Sequence, residues 1–124
     1  MTSLNVGRRR FATIFDAHDL WLTPTTEHPA EPWGRYNLGR ADVSFDDLVD
    51  KIMAPVAQFT LPHNVMGTPA MSLPLAMHSQ GLPIGVQLIA PPAQEHLLLQ
   101  LGAQLEQAMP WGTRVPPLHV TKIH

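Results

Sequence analysis

Histidine is the residue type with the most obvious chemical potential in this chain, which has seven histidines in 124 residues. Two histidines four positions apart on a helix can bind zinc, and a glutamate between them can serve as the base of a peptidase. No two histidines here have that spacing. We therefore predict no metal site and no cofactor, and we interpret the histidines as surface or hydrogen-bonded buried residues. They are His18, His28, His63, His78, His96, His119 and His124.

Serine and lysine could supply a nucleophile and its base. None of the four serines lies in a Gly-x-Ser-x-Gly elbow, and none is followed three residues later by lysine. We interpret Ser72, inside an alternating apolar pattern, as a packed strand serine rather than a nucleophile. Lys51 and Lys122 are the only amine bases available. Composition and spacing therefore predict no catalytic residue in this chain.

Acidic residues gather in one place, just before and within a predicted helix start. Carboxylates are favourable there because a helix N-terminus carries a partial positive charge. Nothing in their spacing marks a tuned acid and base pair. They are Asp42, Asp46, Asp47 and Asp50.

The overall composition excludes several classes of protein. The absence of cysteine excludes disulfides, thiolate zinc sites and a cysteine nucleophile. A net charge of −2 gives no electrostatic reason to bind nucleic acid, and we interpret Arg8–Arg10 as the solvated face of a helix. No apolar run approaches the ~20 residues of a membrane span. No basic segment followed by an apolar run is found at the start of the chain, so we expect no secretory leader. We predict a cytoplasmic protein without membrane or nucleic-acid partners.

The first half of the chain contains few regular elements. Helical spacing of Phe11, Ile14 and other apolar residues predicts a helix over 4–18. The apolar run Leu20–Thr23 predicts a buried strand. Residues 24–43 predict a long loop, held by partial packing of two aromatic side chains, Trp33 and Tyr36.

A second helix begins at Ser44, with Asp47 three residues later in a capping-box arrangement in which the acid reaches back. Its apolar face is predicted to comprise Phe45, Leu48, Val49, Ile52 and Met53. Pro55 removes a helix hydrogen bond, so we expect the helix to end or kink there.

Alternating apolar residues predict a β-hairpin over 70–90, with Ser79–Gly81 as its turn. Pro74 and Pro83 lack a ladder donor, so each should lie at a strand end, an edge or a bulge. A final helix is predicted to start at Pro91–Pro92 and to end at Pro110. Residues 112–124 lack periodicity and predict a tail.

These elements predict the α/β fold class, with part of a mixed β-sheet of about three strands, including a hairpin, covered by helices. Charged residues are only 15% of the chain, below the usual ~25%, and its 13 prolines are about twice the usual ~5%. Three strands with apolar residues on both faces make a poor isolated sheet, since both faces and edges require neighbours.

Three segments, in order, resemble motifs of the amidase signature family. Residues 19–25 (DLWLTPT) resemble its D-hydrophobic-L-L-T-P-T strand. Residues 59–74 (FTLPHNVMGTPAMSLP) resemble F-T-x-x-x-N-x-x-G-x-P-A-x-S-x-P. Residues 81–89 (GLPIGVQLI) are similar to G-L-P-V-G-hydrophobic-Q-hydrophobic-hydrophobic. The helix closing with Pro110-Trp111 matches the family's C-terminal helix. The resemblance covers residues 10–117, and it identifies the chain 1–124 as the C-terminal segment of an amidase domain, with 112–124 as its tail.

The resemblance implies an amide hydrolase whose catalysis uses a nucleophilic serine, a bridging serine on a cis peptide and a lysine base. Those residues lie upstream of the matched part, and this chain has no Gly-Gly-Ser-Ser stretch. No catalytic residue can therefore be transferred. Thr60 and Asn64 occupy motif positions and are candidate substrate-binding residues; alternatively they make capping and turn hydrogen bonds. Ala57 stands where the tRNA-dependent amidotransferase branch has an acid, which disfavours that branch.

Two hypotheses follow for function. In the first, the chain is part of a hydrolase of non-peptide amides, including linear or cyclic oligoamides, and is inactive until another polypeptide supplies the triad. In the second, it is a non-catalytic assembly or binding module derived from the amidase fold. Both predict a partner, either the remaining N-terminal amidase portion or further copies of this chain. A small amide substrate is expected only in the complete enzyme.

Overall fold

A computed structural model of the chain describes residues 3–116 and 118–119. The element order is helix, strand, long loop, interrupted helix, short helix, β-hairpin and final helix. The helices are α1 Ser3–Ala12, α2 Phe45–Leu48, α3 Ala54–Ala57, α4 Leu61–Met66 and α5 Glu95–Ala108; the strands are β1 Trp21–Pro24, β2 Ala70–Met77 and β3 Pro83–Ile89. No helix within these described residues is long and apolar enough to cross a membrane.

The three strands form one antiparallel sheet in the order β1-β3-β2. Gln87 on the central strand is the register partner of both Thr23 and Ser72. The predicted hairpin is confirmed, with Gly81 at φ +79° in its turn, a conformation that glycine adopts without strain. The expectations for both prolines are also confirmed. Pro83 begins β3, and Pro74 lies in a register shift on the edge strand β2.

Helix α5 covers one face of this sheet and forms the core with it. The residues buried in this cluster are Leu73, Leu88, Ala90 and Leu98. Partly buried side chains, including Leu101, Leu105 and Trp111, pack around them. Leucine side chains of α5 therefore face the sheet, and the α/β class with three strands and a hairpin is confirmed.

The prediction of a buried first strand is wrong. β1 is an edge strand, and Thr23 is the only one of its four residues that is buried. Leu22 is 62% exposed although its register partner Leu88 is 2% exposed. The sequence pattern of β1 is apolar, but α5 does not cover the side chain of Leu22.

The first two predicted helices have different bounds from those expected. α1 gives way to a 3₁₀ turn at Thr13–Asp16, so the helical region ends before the exposed His18. Ser44 caps α2 by accepting from the Asp47 N–H at 3.2 Å, as predicted, but the Asp47 carboxylate pairs with Lys51 at 2.7 Å instead of reaching back.

Pro55 neither ends the second helix nor begins a loop. A π-helical segment, Val49–Met53, joins α2 to α3, and the Ala54 N–H donates to the Val49 carbonyl five residues earlier. This wider turn precedes the residue that cannot donate, so the chain stays helical to Ala57. Of the predicted apolar face, only Leu48 and Ile52 are buried; Phe45 is 77% exposed.

The final helix starts later than predicted. Ala93 adopts a positive φ of 62°, which breaks the helical path, and α5 begins at Glu95. It ends at Ala108, before Pro110, as expected. The predicted tail 112–124 begins within a 3₁₀ turn at Trp111–Thr113. Residues 117 and 120–124 of that tail lie outside the described part of the chain.

We predict that Leu88→Ala lowers the free energy of unfolding by about 2–5 kcal/mol, because it leaves a cavity between the sheet and α5. Leu22→Ala is the matched control, since it removes the same atoms from an exposed position directly across β1 and β3. We expect that control to change stability by less than about 0.5 kcal/mol. Urea titration monitored by circular dichroism measures both, and equal losses would contradict the assigned core.

Candidate functional site

Polar side chains lie in a row on the sheet face that α5 does not cover. Within this row, Gln87 and Thr23 are 4% and 7% exposed. The Gln87 amide donates to the Thr23 hydroxyl at 3.1 Å and to the Phe59 carbonyl at 2.8 Å. These two bonds satisfy both amide hydrogens and hold the segment before α4 against the sheet.

A hydroxyl pair, Thr25 and Ser72, continues the row beyond Gln87. The two Oγ atoms lie 2.5 Å apart, on either side of the central strand. Gly85 lies beneath them; a Cβ built there would be 2.7 Å from the Thr25 hydroxyl and 2.9 Å from the Ser72 hydroxyl. The pair can therefore form only because residue 85 has no side chain. Ser72 is exposed, which corrects the expectation of a packed strand serine.

The hydroxyl pair can form hydrogen bonds to a ligand, but it lacks the general base that a serine nucleophile requires. Serine attack requires a general base that receives the hydroxyl proton. Among the contacts of the described residues, Ser72 bonds only to Thr25, and no histidine or lysine bonds to either hydroxyl. Because one O–H is used within the pair, the other remains able to donate outward, and both oxygens retain acceptor capacity.

A second group, the His63 cluster, contains Phe11, Phe15, Trp21 and His63. The imidazole lies edge-on to Phe11 and Trp21, with ring centroids at 5.5 and 5.9 Å. Its Nδ1 is hydrogen-bonded to the Thr68 hydroxyl at 3.0 Å, and the residue is 5% exposed. Burial lowers the pKa of His63, because the charged imidazolium would lose its hydration.

The His63 cluster joins three elements. Phe11 comes from α1, Trp21 from β1 and His63 from α4. The Arg8 guanidinium adds a further link, since it donates to the Val65 carbonyl at 2.8 Å near the C-terminal end of α4. Gly67, at φ 71°, then ends that helix in a left-handed cap whose N–H bonds to the His63 carbonyl.

The two candidate binding residues lie one turn apart on this same helix. Thr60 is the N-cap of α4 without a side-chain cap bond; its hydroxyl donates to the Ala57 carbonyl at 3.4 Å. Asn64 is exposed, and its N–H faces the Thr60 carbonyl at 3.5 Å. Their role in binding a substrate stays a prediction. Neither is described in contact with the hydroxyl pair.

The long loop lies across the interrupted helix. Gln58 donates to the Glu27 carboxylate at 3.1 Å. Within the loop, the Arg40 guanidinium donates two hydrogen bonds to the Asp42 carboxylate, at 2.6 and 3.0 Å. The Arg40 hydrogen bonds lower the pKa of Asp42. Trp33 is fully exposed, so the prediction of partial packing is wrong for this side chain. Tyr36 is 43% exposed and is therefore partly covered, as predicted.

Within residues 3–116 and 118–119, no group of three His, Asp or Glu side chains is placed to hold a metal ion. Two members of the predicted acidic group form separate ion pairs, Asp42 with Arg40 and Asp47 with Lys51. The contact with Lys51 lowers the pKa of the Asp47 carboxyl.

The three-stranded sheet and its covering helix define an α/β fold, and the motif residues of the polar row lie on its other face. The amidase family model matches residues 2–99, and the chain belongs to the amidase family. This confirms the resemblance on which the sequence interpretation rests.

Individual relatives narrow the comparison. Over 60 residues, 48% of this chain, it is 58% identical to 6-aminohexanoate-cyclic-dimer hydrolase of Pseudomonas sp. (strain NK87). Over 88% of the chain it is 38% identical to AmiC of Mycobacterium tuberculosis (strain H37Rv), whose name assigns it to the amidases. A solved structure of 6-aminohexanoate cyclic dimer hydrolase complexed with substrate matches 92% of the chain, with a TM-score of 0.79 and 36% identity.

The chain spans only part of each relative. Its matched segment covers 12% of the Pseudomonas hydrolase, 22% of AmiC and 24% of the chain in the solved structure. Similarity over so small a share of their length does not transfer the activity of those whole proteins to this chain.

The hydroxyl pair and Gln87 were not identified as site residues from the sequence. A signal was present, since Thr23, Thr25, Ser72 and Gln87 fall on one face of three alternating strands. Gly85 within a strand indicates a close approach by another group. What the pattern lacked was the pairing register, which places these residues side by side.

We predict that the stability of the chain falls as the pH drops below about 6.5, the ordinary histidine pKa. The folded pKa of His63 is lowered, so the unfolded chain binds more protons there, and stability present above that pH is lost toward the folded pKa. His63→Phe should flatten this dependence in urea titrations at pH 7.5 and 5.0. His96→Gln, at an exposed position on α5, is the control. An unchanged slope in His63→Phe would refute the assignment.

We also predict that Gly85→Ala lowers stability by about 1–3 kcal/mol, because its Cβ would overlap the hydroxyl pair. Gly112→Ala, where a Cβ meets no atom within 4 Å, should change stability by less than about 0.5 kcal/mol. Adding Thr25→Ala to the Gly85 variant should recover part of the loss, as measured in a double-mutant cycle. Additive effects would show that the crowding is absent.

Proposed function

We propose that this chain is the C-terminal part of an amidase-signature hydrolase that cleaves carbon–nitrogen bonds of a non-peptide amide. It lacks the serine–cis-serine–lysine triad and is inactive until a polypeptide carrying that triad completes the fold. The observation that carries the proposal is coverage: the chain matches a solved amidase over 92% of its own length and only 24% of that chain's.

Unpaired strand edges support the need for a completing partner. β1 and β2 are both edges of the described sheet, and β2 is eight residues long. Such an edge presents free N–H and C=O groups that pair with another strand or must be blocked. Pro74 and its register shift interrupt β2 only in its second half, so its first half stays available for pairing.

Exposed apolar side chains give the same indication on the surface. Leu22 on β1, Phe45 on α2 and Leu99 on α5 are 62%, 77% and 68% exposed. Charged residues make up only 15% of the chain. These exposed apolar side chains are therefore suited to burial against further protein. We therefore expect the remaining amidase portion, or in its absence further copies of this chain, to cover them. No nucleic-acid or membrane partner is proposed, and a cytoplasmic location stays a prediction.

The substrate class follows the named relatives. Two of them are 6-aminohexanoate-cyclic-dimer hydrolases, and a matching structure of that enzyme holds its substrate. We propose a linear or cyclic oligoamide for the completed enzyme. Thr60 and Asn64 remain candidate contacts to it, and the outward-facing hydroxyl pair offers a further donor and acceptors at the uncovered end of the polar row.

A complementation assay tests this proposal. The chain is mixed with 6-aminohexanoate cyclic dimer hydrolase truncated before its matched segment, and hydrolysis of the cyclic dimer is followed by the release of free amine. We expect activity only in the mixture, because the nucleophile and the base come from the truncated enzyme while this chain closes its fold.

The controls separate the two hypotheses. Light scattering of this chain alone at micromolar concentration should give a mass above that of the 13.7 kDa monomer, through self-association of the open edges. Self-association of this chain without association with the truncated enzyme would favour the non-catalytic module, and a monodisperse monomer would contradict the predicted covering of the edges. Hydrolysis by this chain alone would overturn the claim that it lacks the catalytic residues.

A further inference from the structure

We propose that a groove between the hairpin and the segment after α5 binds a carboxylate that carries an alkyl chain. This Arg114 groove has a volume of about 450 Å³, within the range of small-molecule sites. Its lining includes Pro74, Met77, Pro83, Trp111, Arg114 and Val115. It lies outside the polar row, and the proposal does not depend on amide hydrolysis.

The walls of the groove are apolar and one of them is anchored. Trp111 packs against the core cluster, so its indole is held in place by the same contacts that join α5 to the sheet. Met77 and Val115 are 45% and 43% exposed, although both are apolar. An alkyl chain lying between them would remove this apolar surface from water.

Arg114, the one cation among the described residues that line the groove, is positioned by the backbone. Arg114 Nη1 donates to the Pro74 carbonyl at 3.1 Å, and the Arg114 N–H donates to the Trp111 carbonyl at 2.9 Å. Pro74 lies in the register shift of β2, between Leu73 and Ala76. The bulge, the 3₁₀ turn and the guanidinium are thus fixed relative to one another.

The guanidinium retains donors for a ligand. It has five N–H groups, and one bond to a carbonyl leaves the others free to bind a carboxylate at two points. Among the residues that the structure describes, Arg114 forms no ion pair. One cation beside an apolar groove matches one negative charge on an apolar body, which favours a monocarboxylate over a phosphate or a polyanion.

Octanoate is the probe, added to the complete 124-residue chain. The indole N–H signal of Trp111 in NMR spectra should shift saturably, whereas that of the fully exposed Trp33 should not. Arg114→Gln should weaken binding by about tenfold or more, because it removes a charge-assisted contact. Arg9→Gln, at an exposed arginine on α1, is the matched control and should bind like the parent.

Two further ligands make the outcome decisive. Octanamide, which has the alkyl chain without the charge, should bind at least about tenfold more weakly than octanoate. Acetate should bind more weakly still, since each CH₂ removed costs up to about fourfold. Equal binding of octanoate and octanamide, equal shifts of Trp111 and Trp33, or equal losses in the two arginine variants would each overturn the proposal. So would the absence of any saturable shift.

Discussion

One buried amide, that of Gln87, connects parts of this chain that lie far apart in the sequence. It lies on the central strand, 64 residues from Thr23 and 28 from Phe59, and it bonds to both. Burying a polar group without hydrogen-bond partners costs more free energy than a satisfied hydrogen bond contributes. The Gln87 amide can therefore stay buried only while Thr23 and the Phe59 carbonyl are both in place. The position of the 59–68 segment on the sheet follows from this requirement.

The sheet has two faces with different chemistry because of its register. The face toward α5 is aliphatic and makes the core, whereas the opposite face carries Thr23, Gln87 and the hydroxyl pair over Gly85. Within the described residues, every buried side-chain nitrogen and oxygen has a hydrogen-bond partner. The buried groups of the polar face are therefore fully hydrogen-bonded. This face is closed at one end by α4 and the His63 cluster and open at the other, where Ser72 is exposed.

Local signals predicted the hairpin, the Ser44 cap and the end of α5 correctly, because turn residues, caps and prolines act over a few positions. The family motifs extended this to the class of protein. Features set by distant contacts were not predictable. The exposure of Leu22 depends on where α5 lies, and the start of α5 depends on the positive φ of Ala93. The Thr25–Ser72 contact depends on a register between strands 47 residues apart. For Thr60 and Asn64, the motif locates the residues on α4, but a role in binding requires the substrate.

The π segment before Pro55 sets the phase of the helix that follows it. One turn that closes with an extra residue is what a single insertion into an α-helix produces, and it shifts the helical phase by about 100°. Leu48 precedes the π segment and Ile52 lies within it; both are buried, whereas the proline falls just beyond the segment. A deletion of one residue from this turn would restore an ordinary α-helix only by rotating α3 away from its present face. The length of this turn thus sets which side chains of α3 face the rest of the protein.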